Sequence, residues 1–183
     1  QDKADPYSEL YTQAVRLFKN KKPVIAAVQG GAIGGGLGLS LVADFRIGCP
    51  ESRFSANFSR LGFHQGFGTT VTLPRVIGPQ NAAMMMLTGR RLKGQEAFDI
   101  GLIDYLVPLK EVRSKAIELA EEISEAGPLA VQSIRATIRA SLAEQVEEIV
   151  SWELSEQVRL QSTKDFKEGI KASLERRKPK FEG

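Results

Sequence analysis

The chain has 183 residues, of which 42% are hydrophobic and 26% charged, and a formal net charge of +3 at pH 7. This is the make-up of a soluble globular protein of one domain, or of a core plus an appendage. It excludes several classes. The densest basic run, Arg176-Arg177-Lys178, reads as a solvated helix end rather than a nucleic-acid site. Cys49 and His64 stand alone, which rules out an intramolecular disulfide and argues against a His/Cys metal centre. No run approaches the roughly 18 apolar residues of a membrane span. The chain opens with Gln1 rather than Met and shows no signal peptide, so its start reads as a cut or truncation and a cytoplasmic location is expected.

Leu10, Tyr11, Ala14, Val15, Leu17 and Phe18 recur at helical spacing and predict a helix over 7–19. Val24 to Val28, opened by Pro23 and closed by Gly30 and Gly31, reads as a buried strand ending in a glycine turn. Gly34-Gly35-Gly36 then lead into Leu37, Leu39, Leu41 and Val42, so a helix starts where bare backbone can approach a ligand. The first amides of a helix have no intrahelical partner and its dipole is positive there, so such an end binds negative charge. That charge is either permanent, as on a phosphate, or develops during reaction, as on the oxygen of a thioester enolate. A P-loop is excluded because Gly36 is followed by Leu37 and Gly38, with no lysine between Lys22 and Lys93. No glycine of the run starts the i, i+2, i+5 set of a dinucleotide fingerprint. The remaining alternative is that the glycines only allow close helix–strand packing.

A strand is predicted over 44–48, with Asp44 as a buried partner for backbone amides, and a short extended piece over 52–56. Helices follow over 69–76 and 79–87. Within the second, Met84-Met85-Met86 reads as core filler or a wall of an acyl pocket. A short helix over 95–100 and a last strand over 105–107 complete the α/β part, residues 1–108. From Leu109 the composition turns helical. Val112, Ala116, Leu119, Ala120 and Ile123 mark one helix, and Gly127-Pro128 ends it and begins another. A third carries Val146, Ile149, Val150, Leu154 and Val158, and a fourth runs from about Thr163. Glu121-Glu122 and Glu147-Glu148 are sequence neighbours on helices, so the members of each pair do not share a face and read as solvated.

Lys22-Pro23-Val24-Ile25-Ala26-Ala27-Val28 with Gly30, Gly34-Gly35-Gly36 and Asp44 resembles the signature of the crotonase superfamily, the enoyl-CoA hydratases and isomerases. Phe54, Leu61-Gly62, Gly68-Thr69-Thr70, Leu73-Pro74-Arg75, Leu87-Thr88-Gly89-Arg90, Gly101-Leu102-Ile103, Glu168-Gly169 and Arg177-Lys178-Pro179-Lys180-Phe181 continue the likeness in order. The resemblance implies a spiral of ββα units followed, over 109–183, by helices that pack between subunits of a homotrimer or a dimer of trimers. It implies an acyl-CoA substrate, no separate cofactor, and an oxyanion donor at Gly35. It also implies an upstream segment, before this chain begins, that supplies a second oxyanion amide.

The resemblance also shows where this chain departs. The family's hydratases place one glutamate at the position matched by Gly38 and a second at that matched by Phe58. Its isomerases and aromatic acyl-CoA dehalogenases carry an acid at the position matched by Gly66. Glycine and phenylalanine can neither polarise water nor deliver a proton. His64 is the substitute base to weigh, since an imidazole titrates at about pH 6.5. The competing reading is a loop histidine bonded to backbone. Ser55, Asn57, Ser59 and Gln65 are candidates for positioning water. Two classes of function result: an acyl-CoA enzyme with altered acid–base chemistry, and a crotonase-fold acyl-CoA binder with little or no turnover.

Overall fold

The structure, a computed structural model, describes residues 6–183. The expectation about the start at Gln1, and the placement of the Leu10 side chain, lie outside the described residues. Helix α1 (Pro6–Phe18) turns Tyr11, Ala14, Val15 and Phe18 inward, the i, i+3, i+4, i+7 stripe expected of a helix with one covered face.

After α1 the chain alternates strand, strand and helix. Strand β1 (Ile25–Val28) is followed by β2 (Gly31–Ile33), α2 (Gly35–Val42), β3 (Phe45–Gly48) and β4 (Arg53–Ser55). A 3-10 turn at Asn57–Leu61 leads to α3 (Thr69–Thr88), then β5 (Leu92–Lys93), α4 (Gly94–Asp99) and β6 (Tyr105–Leu106). Strands β2 and β5 correct the sequence reading, which saw only a glycine turn before α2 and nothing after α3. At three and two residues they are too short to show a period, and only pairing with β4 defines them, Ala32 opposite Phe54 and Leu92 opposite Phe54. The helices expected over 69–76 and 79–87 form one bent element, hinged at Gly78 (φ 77°, ψ 159°) next to Pro79.

One sheet has the order β1-β3-β6, all parallel; the other has the order β2-β4-β5, parallel then antiparallel. Each turn of the chain thus adds one strand to each sheet, the expected spiral. Leu37, Leu41, Phe54, Leu73, Met85, Leu102 and Ile103 form one buried cluster of this part. The methionine run divides its roles: Met85 is buried, Met86 packs against the cluster and Met84 is exposed.

Beyond β6 the chain is helical: α5 (Val112–Ser124), α6 (Pro128–Ile138), α7 (Leu142–Gln161) and α8 (Lys164–Leu174). Val112 and Leu119 of α5 pack with Ile47 of β3. The apolar stripe of α7 is covered largely within the chain. Val146 and Val150 pack with Tyr11, Ala14, Val15, Phe18 and Phe67 of the same chain, and only Val158 of that stripe is well exposed. The most uncovered apolar residues lie elsewhere, Leu129, Leu87 and Leu174 at 82%, 80% and 80% exposed, followed by Ile138, Trp152 and Ile134.

Asp44 ties the two parts together. Its carboxylate accepts the Val24 N–H at 2.8 Å, as expected of an amide partner, and also Arg135 Nε at 2.8 Å and Arg139 Nη1 at 2.7 Å. The arginines come from α6 and its C-cap, which the sequence did not indicate. Burial pushes the Asp44 carboxyl up, but the bonds from Arg135, Val24 and Arg139 together outweigh it and hold it below its ordinary value.

Candidate active site

The glycine run stands at the start of α2, where the sequence placed it. Gly34 takes φ 56°, ψ −119°, a conformation open to glycine, and its N–H donates to Ser55 O at 2.9 Å, tying the helix start to β4. Gly35, the first residue of α2, is exposed, and a Cβ built on it would meet nothing within 4 Å. Space for a side chain is thus open at this helix start.

The positions matched to family acids are filled rather than vacant. A Cβ on Gly38 would sit 2.6–2.8 Å from Cβ, Cγ and Cδ1 of Phe67. Phe67 is itself buried, with a left-handed backbone (φ 64°) that a bulky residue adopts only under constraint. Phe58 is buried beside the helix start, its ring 3.6 Å from where a Gly34 Cβ would lie, and it stacks edge-on with Phe63 at 5.4 Å. At Gly66, a Cβ would fall on the Tyr11 hydroxyl and 2.7 Å from Gln157 Nε2. Aromatic rings and an amide thus occupy the space around all three positions.

His64 is half-buried. Its Nδ1 lies 2.8 Å from Gln65 O, so Nδ1–H is the donor and the neutral ring keeps its lone pair on Nε2. Its carbonyl accepts Gln157 Nε2 at 2.9 Å. Of the polar residues considered for holding water, Ser55 and Ser59 donate to the carbonyls of Gly89 and Met86, and Gln65 donates to Thr70 Oγ1. Asn57 sits beside Gly34, its Oδ1 3.2 Å from where a Cβ there would lie. Phe58 and Phe67 are brought to the first turns of α2, whereas His64 is fastened to α7 through Gln157 and Gly66 lies against Tyr11 and Gln157.

Sequence reasoning missed Glu153 and Gln157. Glu153 is fully buried; its Oε2 accepts Gly68 N–H at 2.7 Å, and its Oε1 accepts Thr70 N–H at 3.0 Å and Thr70 Oγ1–H at 2.6 Å. Gln157 accepts the Tyr11 hydroxyl at 2.9 Å. A signal existed: Val146, Val150, Glu153 and Gln157 fall at i, i+4, i+7 and i+11, so the two polar residues continue the buried valine stripe.

A two-sheet α/β spiral with a glycine-led helix at its heart and a helical C-terminal part is the architecture to be compared with known proteins. The chain belongs to the enoyl-CoA hydratase/isomerase family, whose profile matches residues 1–183. It is 37% identical over 161 residues to a crotonyl-CoA hydratase of Syntrophomonas wolfei, covering 88% of this chain and 62% of that relative. It is 34% identical over 171 residues to a carnitinyl-CoA dehydratase of Salmonella paratyphi A, covering 91% of this chain and 66% of the relative. Among solved structures, an enoyl-CoA hydratase from Mycobacterium avium subsp. paratuberculosis superposes with a TM-score of 0.88 at 25% identity, covering 97% of this chain and 74% of the other. The chain thus spans less than two thirds of the length of these two curated relatives.

Proposed function

We propose that the protein processes acyl-CoA thioesters, the Gly35 amide donating to the thioester oxygen as enolate character develops. His64 acts as the base through Nε2. The chemistry needs no resident metal or cofactor, since CoA arrives as part of the substrate, and the working form is a cytoplasmic homotrimer or dimer of trimers. The observation that carries this reading is the unobstructed Gly35 at the start of α2. Family membership, and relatives whose names specify crotonyl-CoA and carnitinyl-CoA chemistry, support the thioester as ligand.

The aromatic fill around Gly38, Phe58 and Gly66 argues against carboxylate-driven hydration. With general acid–base catalysis worth about 10² to 10⁴ per group, short 2-enoyl-CoA should be hydrated several orders of magnitude more slowly than by relatives that carry both acids. The same fill supports the second reading, a thioester binder without turnover. A screen of acyl-CoA thioesters with mass spectrometry of the products separates the two. Gly35→Pro removes the N–H at a first-turn position that tolerates proline, where a side chain meets nothing. It should lower turnover by about 3 kcal/mol of transition-state stabilisation. His64→Ala should remove most of the rate and its loss at acidic pH. Unchanged turnover and affinity in folded Gly35→Pro would overturn the oxyanion role, and thioester binding with no product from any substrate would leave the binder.

A further inference from the structure

Glu153 does something unusual for a buried carboxylate: among the described residues it has three donors and no cation as hydrogen-bond partners. Its donors, Gly68 N–H, Thr70 N–H and Thr70 Oγ1–H, stand at the start of α3, whose N-cap is Gly68 and which has no side-chain cap of its own. An ionised carboxylate has acceptors only, so three donors suit it and a helix N-terminus favours its charge. Burial pushes its carboxyl up, and the bonds from Thr70 and Gly68 offset this only in part, so it stays above its ordinary value. Helix α7 therefore caps α3 across 85 residues of sequence.

What this cap fixes is the residue just before it. Phe67 and Gly68 are two successive left-handed residues, φ 64° and φ 70°, and only the second is a glycine. A phenylalanine stays in that region when its surroundings over-determine it. Glu153 grips the following amide, and Phe67's ring is thereby pressed into the space beside Gly38, where the family's first acid would stand.

We infer that Glu153 is a positioning residue: by capping α3 it holds Phe67 against α2 and so shapes the acyl side of the thioester site. This rests on the thioester reading for its ligand, but the capping itself can be read without any ligand. In Glu153→Gln an amide nitrogen replaces one acceptor oxygen and faces a donor. The expected result is hydrogen exchange at least tenfold faster at the Gly68 and Thr70 amides, with the β3 amides unchanged. Calorimetric affinity for butyryl-CoA should fall at least tenfold while that for free CoA holds, a split that general loosening of the fold would not produce. Thr70→Val, which keeps the shape and removes the 2.6 Å bond, should show both effects in smaller degree and serves if Glu153→Gln does not fold. Unchanged exchange at Gly68 and Thr70 in a folded variant overturns the positioning role. Faster exchange with butyryl-CoA and CoA affinities moving together overturns the acyl-site part. Wild type that binds neither ligand overturns the thioester reading and the acyl-site part with it, and the exchange result still decides the cap.

Discussion

If Phe67 fills the place of the missing acid, adding even one methyl group at Gly38 should be felt, and felt only while Phe67 is there. The built Cβ lies 2.6 Å from Phe67 Cβ and 2.8 Å from Cγ and Cδ1. Rotation about χ1 would move Cγ and Cδ1 but not Cβ, the nearest of the three, which moves only with the backbone, and that backbone is already left-handed. Overpacking of this kind costs about 1–3 kcal/mol, to which the loss of a helical glycine returns about 1 kcal/mol in favour of alanine. Gly38→Ala should therefore be destabilising by about 0–2 kcal/mol in wild type. Phe67→Ala alone should cost about 3–5 kcal/mol through the cavity it leaves. In that background Gly38→Ala should become stabilising by up to about 1 kcal/mol, because only the propensity gain remains. The quantity to measure is the coupling energy from urea unfolding of the four proteins at unchanged m-value, expected at about 1–3 kcal/mol. Additivity within about 0.5 kcal/mol would refute the claim that the ring occupies the acid's space.

Two further expectations concern the frame around the site. Asp44→Ala strands two buried guanidiniums and should cost about 3–5 kcal/mol, a fall of roughly 6–20 °C in Tm by thermal circular dichroism. Because the folded Asp44 carboxyl is held below its ordinary 3.8, its stabilisation is full above that value and is lost as pH falls through the lower folded one. The variant should accordingly show a shallower acid limb, and an unchanged limb would contradict the linkage. Light scattering should report a trimer or hexamer at micromolar concentration, with Leu129, Ile134, Ile138 and Leu174 as the apolar surface available for burial; a stable monomer would contradict it.

How far the sequence spoke depended on the length over which a signal was written. Strands β1 and β3, the glycine-led α2, and helices α5 to α8 each carry several periodic residues and were legible. Strands β2 and β5 were not, because two or three residues carry no period and their identity comes from pairing. Asp44 could be read as a buried partner for an amide, but its arginines lie 91 and 95 residues away, and nothing local announces them. The site was half legible in the same sense. Gly35 stands out by its neighbours, and the lack of an acid at Gly38, Phe58 and Gly66 is plain from the letters, whereas the packing of Phe67 against Gly38 and of Tyr11 against Gly66 is a tertiary contact that no local pattern announces. Glu153 was overlooked because a glutamate on a charged helix reads as solvated, although its place in the valine stripe marked it as buried.

The Asp44 triad also sets a clock for the growing polypeptide. Arg139 emerges 95 residues after Asp44, and at about 5–20 residues per second a ribosome needs roughly 5–19 s to make that stretch. During that interval the first two parallel strands can pair and the carboxylate at the head of the second can accept the Val24 N–H, but neither Arg135 nor Arg139 has been made. Until they are, the rest of its acceptor capacity is met by water. On this account the nascent α/β portion lacks this tie until α6 arrives, and chaperone contact should concentrate on chains between the completion of β3 and the appearance of Arg135.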